Sequence, residues 1–158
     1  MSNMKRRTFL KGTLAAGAAG MAVKAGLLTP REVLAAAWPT AAFDAKTVPE
    51  ALTALMGSDQ LDASDKITIK APDIAENGAV VPVSVETTIP GVTSISIISE
   101  KNVSPLAASF NLAAETEPFV ATRIKLAKTM NVTAVVKSGD KLYSTSKEVK
   151  VTIGGCGG

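Results

Sequence analysis

Histidine is missing from this 158-residue chain, and cysteine occurs once. Without His the chain lacks the only side chain that ordinarily exchanges its proton near neutrality, so it cannot build a Ser-His-Asp triad or a Cys-His pair alone. One Cys and no His exclude a zinc, iron–sulfur or haem-attachment site. A lone Cys also cannot close an internal disulfide. Aromatic residues make up 4% of the chain, which leaves no stacking platform for nucleic acid. No catalytic residue, metal site or cofactor is expected, and any soft chemistry must pass through Cys156.

Charge is unevenly spread. The formal total is +3, but residues 1–37 hold six basic residues (Lys5, Arg6, Arg7, Lys11, Lys24, Arg31) and one acid, Glu32, for +5. The remaining 121 residues hold eleven basic and thirteen acidic side chains, for −2. A basic chain would ordinarily point to nucleic acid or acidic membranes. Here the positive charge belongs to one segment, and that segment reads as an address.

Arg6-Arg7-Thr8-Phe9-Leu10-Lys11 is a twin-arginine element ending in an apolar pair and a base. A weakly hydrophobic run follows from Gly12 to Leu28, mostly Ala and Gly. Lys24 interrupts it, and it falls short of the roughly 20 apolar residues that span a bilayer. Ala35-Ala36-Ala37 then supplies the small-x-small pattern of a signal-peptidase site, with Trp38 as the new start. Residues 1–37 are therefore expected to be a Tat signal, giving a periplasmic protein exported after folding and not stably inserted in a membrane. Lys5 stands where Ser or Thr usually precedes the arginines.

Beyond the signal, one helix and then strands are expected. Thr47-Val48-Pro49-Glu50 fits a capping box, with Pro49 tolerated in the first turn and Ala51, Leu52, Leu55 and Met56 at helical spacing. Gly57-Ser58-Asp59 ends it, and the apolar period then becomes two. The stripes are Ile67 and Ile69; Val81, Val83 and Val85; Ile95 and Ile97; Leu106, Ala108, Phe110 and Leu112; Val120, Thr122, Ile124 and Leu126. A strand near 131–137 turns at Ser138-Gly139-Asp140 into a last run carrying Val149, Val151 and Ile153. Asn77-Gly78, Pro90-Gly91, Ser104-Pro105 and Glu117-Pro118 separate these runs. About seven strands without intervening helices predict an all-β, antiparallel sandwich preceded by one short helix. Pro82 predicts an edge strand or a bulge for its run. Residues 38–153 form the helix-plus-sandwich domain in this reading, and Trp38 is expected to pack as a lid on it.

Residues 154–158 read Gly154-Gly155-Cys156-Gly157-Gly158. Four glycines make a backbone without Cβ atoms, thin enough to thread a channel and free in its dihedrals. Three extended residues put the Cys156 Cα roughly 10 Å beyond Ile153 at ~3.3–3.6 Å per residue. The expectation is a single thiol on a flexible swinging arm anchored to a rigid sheet. No base lies in the tail, and the α-carboxylate of Gly158 disfavours the thiolate, so activation is left to whichever protein receives the arm. Only two residues follow Cys156, one short of a prenylation motif. An exposed thiol in an oxidising compartment is a liability unless it is used.

That tail, following Val151-Thr152-Ile153, resembles the Y subunits of the Sox thiosulfate-oxidation carriers, SoxYZ. The twin-arginine signal and the start Trp38-Pro39-Thr40-Ala41-Ala42-Phe43 are similar too. The resemblance implies an immunoglobulin-like sandwich, heterodimeric with a SoxZ-like subunit, that carries sulfur intermediates on Cys156 and is not itself an enzyme. It implies a SoxAX-type cytochrome that oxidatively joins thiosulfate to the thiol, and a SoxB-type hydrolase that releases sulfate. In some organisms a SoxCD-type dehydrogenase oxidises the remaining sulfane sulfur.

Two other readings compete. Gly157-Gly158 also ends ubiquitin-like carriers, which bear a thiocarboxylate, but these place a helix between strands and need ATP-dependent activation. An exported structural or adhesion sandwich would use Cys156 for an intermolecular disulfide. Among weaker signals, Asn102-Val103-Ser104 and Asn131-Val132-Thr133 match the glycosylation sequon by chance. Arg123, Lys125 and Lys128 read as a solvated basic strand face, with a docking patch as the alternative.

Overall fold

Pro39 opens a short helix α1 (Thr40–Asp44), and Thr47 opens a second, α2 (Val48–Met56), in a computed structural model that describes residues 38–152. Sequence reading expected one helix; α1 is five residues long, too short to show an apolar period. The capping box of α2 forms as its sequence dictates. The Glu50 amide donates to Thr47 Oγ1 at 3.4 Å, and Glu50 Oε2 accepts from the Thr47 amide at 3.3 Å. Gly57 ends the helix in the left-handed region at φ 82°, its amide donating to the Thr53 carbonyl at 2.9 Å.

Nine strands follow: β1 (Asp62–Ala63), β2 (Ile67–Lys70), β3 (Ile74–Ala75), β4 (Val81–Thr87), β5 (Val92–Ser99), β6 (Leu106–Asn111), β7 (Phe119–Ile124), β8 (Met130–Ser138) and β9 (Lys141–Val151). The larger sheet runs β1-β9-β8-β5-β6, with β3 also on β9, and the smaller runs β2-β4-β7. The seven longer strands pair antiparallel, so the all-β sandwich stands. The two-residue β1 and β3 were not visible in the sequence, and both pair parallel to β9 along one edge.

Two cores sandwich the larger sheet. Between the sheets lie Val81, Val83, Val85, Ile95, Ile97, Val120, Ile124, Val132, Val136 and Val149, the inward residues of the alternating stripes. On the other face, Ala42, Ala51 and Leu52 of the helices meet Ile98, Leu106, Val135 and Leu142. Covering both faces explains why β5 and β8 are buried almost continuously rather than alternately. Ser96 is wholly buried and satisfied across the strands by the Ser109 hydroxyl at 2.9 Å. The helices are fastened to the β5–β6 loop as well, where the Ser104 hydroxyl donates to the Phe43 carbonyl.

Three expectations change. The stripe Leu106, Ala108, Phe110, Leu112 is split by a bulge: Ile97 opposes Ala108 but Ile98 opposes Leu106, leaving Ala107 extra. Leu106 therefore faces the helices, while Ala107, Phe110 and Leu112 pack toward the inter-sheet core. Pro82 lies in β4, the middle strand of its sheet rather than an edge. It is tolerated because β2 stops at Lys70, opposite Ser84, so β4 is locally unpaired on that side at Pro82. Trp38 is 69% exposed, not a buried lid.

Candidate functional site

The last strand is the mount for the predicted arm. Strand β9 pairs with β8 over nine positions, from Ser138↔Lys141 to Met130↔Val149. Its other edge is covered at intervals: Tyr143 and Ser144 pair with β1, and Lys150 and Val151 pair with β3. An edge strand would otherwise offer a row of open amides and carbonyls.

Bonds crowd toward the strand's end. The Lys147 ammonium forms an ion pair with Asp73 at 2.9 Å and donates to the Ala71 carbonyl at 2.6 Å. The Lys150 amide donates to the Asp73 carbonyl at 2.9 Å, and the Val151 amide to Thr129 Oγ1 at 3.0 Å. At Thr152 the amide donates to the Ala75 carbonyl at 3.2 Å, and the hydroxyl lies 3.5 Å and 3.4 Å from the Ala75 and Glu76 carbonyls. Each net hydrogen bond stabilises by about 0.5–1.5 kcal/mol, so the set holds β9 in place up to its last residue.

The turn below β3 completes the mount. Asn77 Oδ1 accepts from the Ala79 amide at 2.9 Å, forming the side-chain turn that Asn77-Gly78 predicts. Gly78 then passes so close to the chain that an added Cβ would lie 2.4 Å from the Leu126 carbonyl oxygen and 2.8 Å from Val151 Cγ1. Glycine is needed there for the approach, not for an unusual dihedral.

Cys156 itself, with Gly154, Gly155, Gly157 and Gly158, lies outside the described residues, as do Arg6, Arg7 and the cleavage site at 35–37. Thr152 is the last described residue, four before Cys156, and four residues span at most about 14 Å. The fold thus fixes the point from which any reach begins.

Among the described residues, no three His, Cys, Asp or Glu side chains gather as metal ligands, and no helix is long and apolar enough to cross a membrane. Both sequon asparagines are engaged internally. Asn102 Nδ2 donates to the Lys125 carbonyl at 2.7 Å while Oδ1 accepts from the Ala127 amide at 3.0 Å. Asn131 Nδ2 reaches Glu100 Oε2 at 3.5 Å. The basic stretch is resolved into parts: Arg123 lines an open cleft of about 600 Å³ with Lys70, Pro72, Pro82 and Ser84 on the outer face of the smaller sheet. Sequence reading missed this cleft, since Lys70 and Arg123 are brought together only through β4.

Comparison with known proteins agrees with this arrangement. Residues 52–156 match the family model "Sulfur oxidation protein SoxY", and residues 3–23 match that of the twin-arginine translocation signal. The chain is similar to the solved structure of the sulfur carrier protein SoxY from Chlorobium limicola f thiosulfatophilum. That match has 51% identity and a TM-score of 0.60, over 65% of this chain and 94% of that one. A superoxide reductase (neelaredoxin) from Ignicoccus hospitalis T24K matches at 19% identity and a TM-score of 0.49, over 55% of this chain and 80% of that one. At that similarity nothing follows from it for this chain. No curated protein matches. The signal directs export by the twin-arginine route to the periplasm. With the family model spanning most of the chain and reaching the tail cysteine, this protein belongs to the SoxY family of sulfur oxidation proteins.

Proposed function

We propose that this protein is a covalent carrier in periplasmic thiosulfate oxidation, holding sulfur intermediates on the Cys156 thiol and presenting them to successive enzymes. The observation that carries the reading is that the family match runs to residue 156 and so takes in Cys156, on a tail rooted in a strand bonded to its last described residue, Thr152. Gly154, Gly155, Gly157 and Gly158 form the arm; Arg6 and Arg7 belong to the export signal.

The chemistry is divided among proteins. A SoxAX-type cytochrome removes two electrons and a proton as thiosulfate and the Cys156 thiol join, leaving Sγ–S–SO3− on Cys156. Water then enters at the terminal sulfur under a SoxB-type hydrolase, releasing sulfate and two protons and leaving a persulfide. A SoxCD-type dehydrogenase, where present, oxidises that sulfane sulfur. This chain supplies the attachment atom and the reach, and leaves bases, metals and redox groups to its partners. It works as a heterodimer with a SoxZ-like subunit.

Intact-mass spectrometry after incubation with thiosulfate and these enzymes tests the reading. An adduct on Cys156 that a reductant removes is expected, and none on Cys156→Ala. An adduct that persists in Cys156→Ala, or mass on the Gly158 carboxylate, would overturn it. A tagged chain that purifies as a stable monomer without a companion would overturn the heterodimer.

A further inference from the structure

We propose that the cleft on the outer face of the smaller sheet is a subsite for a small sulfur oxoanion, gripped by Arg123 and Lys70. Register places the parts. Lys70 opposes Ser84 across β2 and β4, and Arg123 opposes Pro82 across β4 and β7, so both cations flank one patch of the sheet. No acidic residue lines the cleft. Lys70 shares Glu86 at 2.9 Å, but Arg123 has no carboxylate partner among the described residues. This concentration of positive charge stands on a body, residues 38–158, that carries −2 overall.

The chemistry of the walls favours an anion. The cleft, about 600 Å³, admits a small oxoanion with room to spare. Pro72 and Pro82 in its walls offer no amide donors, and the lining side chains that can donate are the Ser84 and Thr122 hydroxyls, the Lys70 ammonium and the Arg123 guanidinium. A guanidinium fork matches two oxygens of a tetrahedral oxoanion, which a point charge does not.

One wall of the cleft belongs to a segment bonded to β9. Ala71 and Pro72 form one wall; the Ala71 carbonyl accepts from Lys147 and the Asp73 carbonyl from the Lys150 amide. The same –SO3− group has two sources, free thiosulfate or an adduct on Cys156. The second source rests on the carrier reading; the first does not.

Two titrations of the exported protein separate them, followed by the backbone amide signals of Ser84, Ala121 and Arg123. In Cys156→Ser, free thiosulfate should shift these signals saturably, with half-saturation at about 1 mM. Alternatively, Cys156 loaded with –S–SO3−, by thiolate displacement of thiosulfate from tetrathionate, should shift them relative to neutral carbamidomethyl-Cys156. Either result supports the subsite and names its source. Arg123→Gln should raise the half-saturation about tenfold or abolish the adduct-induced shift, while Lys128→Gln, the same charge change outside the cleft, should leave both unchanged. No shift in either experiment, or equal loss in Lys128→Gln, would overturn the proposal. Loading is read separately by mass, so failure of Cys156 to take enzyme-delivered sulfur counts against the carrier reading while the free-ion titration still decides the cleft.

Discussion

Gly78 and Leu126 touch through their backbones: the Leu126 amide donates to the Gly78 carbonyl at 2.7 Å, and a Cβ on residue 78 would meet the Leu126 carbonyl oxygen at 2.4 Å. Neither backbone can retreat as a side-chain tip could. Gly78→Ala should therefore destabilise the domain by about 1–3 kcal/mol, read as a lower urea midpoint. Because the same Cβ would press on Val151, exchange at the Val151 amide should quicken more than exchange at Val135. An unchanged midpoint would show that the turn shifts freely.

Thr129 tests the anchoring of β9 more locally. Its hydroxyl accepts from the Val151 amide at 3.0 Å, so Thr129→Val keeps the shape and orphans that amide. A loss of about 1–3 kcal/mol is expected, with faster hydrogen exchange at Val151 and little change at Tyr143. Uniform acceleration along β9 would mean that the strand opens as a unit instead.

The hydroxyls of buried Ser96 and half-buried Ser109 should behave as a coupled unit. Removing the Ser109 hydroxyl strands that of Ser96, whereas removing both leaves no orphan. Each single Ala variant should cost about 1 kcal/mol, and the double variant less than the two costs combined. Strict additivity in denaturant unfolding would show that the pair is uncoupled.

Neighbours Ile97 and Ile98 serve different cores, and truncation should separate them. Both are fully buried, so each change to Ala should cost about 2–5 kcal/mol. Ile98→Ala should also speed amide exchange in α2, while Ile97→Ala should not do so selectively. Equal exchange profiles would mean that the helices and sheets unfold together.

On the carrier reading, Gly155→Val should leave the unfolding midpoint unchanged while altering transfer to Cys156. It should slow enzyme-dependent loading of Cys156 about tenfold or more, since a branched side chain widens the tether. Loading at the wild-type rate would show that the receiving sites do not require a narrow arm.

Much of this fold was legible in local chemistry. Thr47 and Glu50 announce their helix because a capping box is completed within four residues. Val81, Val83 and Val85 announce their strand because a half-buried strand imposes a period of two. Strands of two residues impose no period, so β1 and β3 left no trace in the sequence. The bulge at Ala107 was equally silent, because it exists only relative to the register of β5.

By itself, the sequence determined the limits of the chemistry. With no His and one Cys, the chain holds no Ser-His-Asp triad, Cys-His pair or internal disulfide of its own. It also placed Lys5, Arg6, Arg7 and Lys11 in a twin-arginine export signal, matched at residues 3–23. The tertiary structure alone decided how the end of β9 is held and where Arg123 faces. Thr152 bonds to Ala75, and Arg123 comes to line one cleft with Lys70, on either side of Pro82 and Ser84, through pairings between residues far apart in the chain. Such pairings depend on which strands become neighbours, a choice made by the packing of the whole sandwich rather than by any local run of residues.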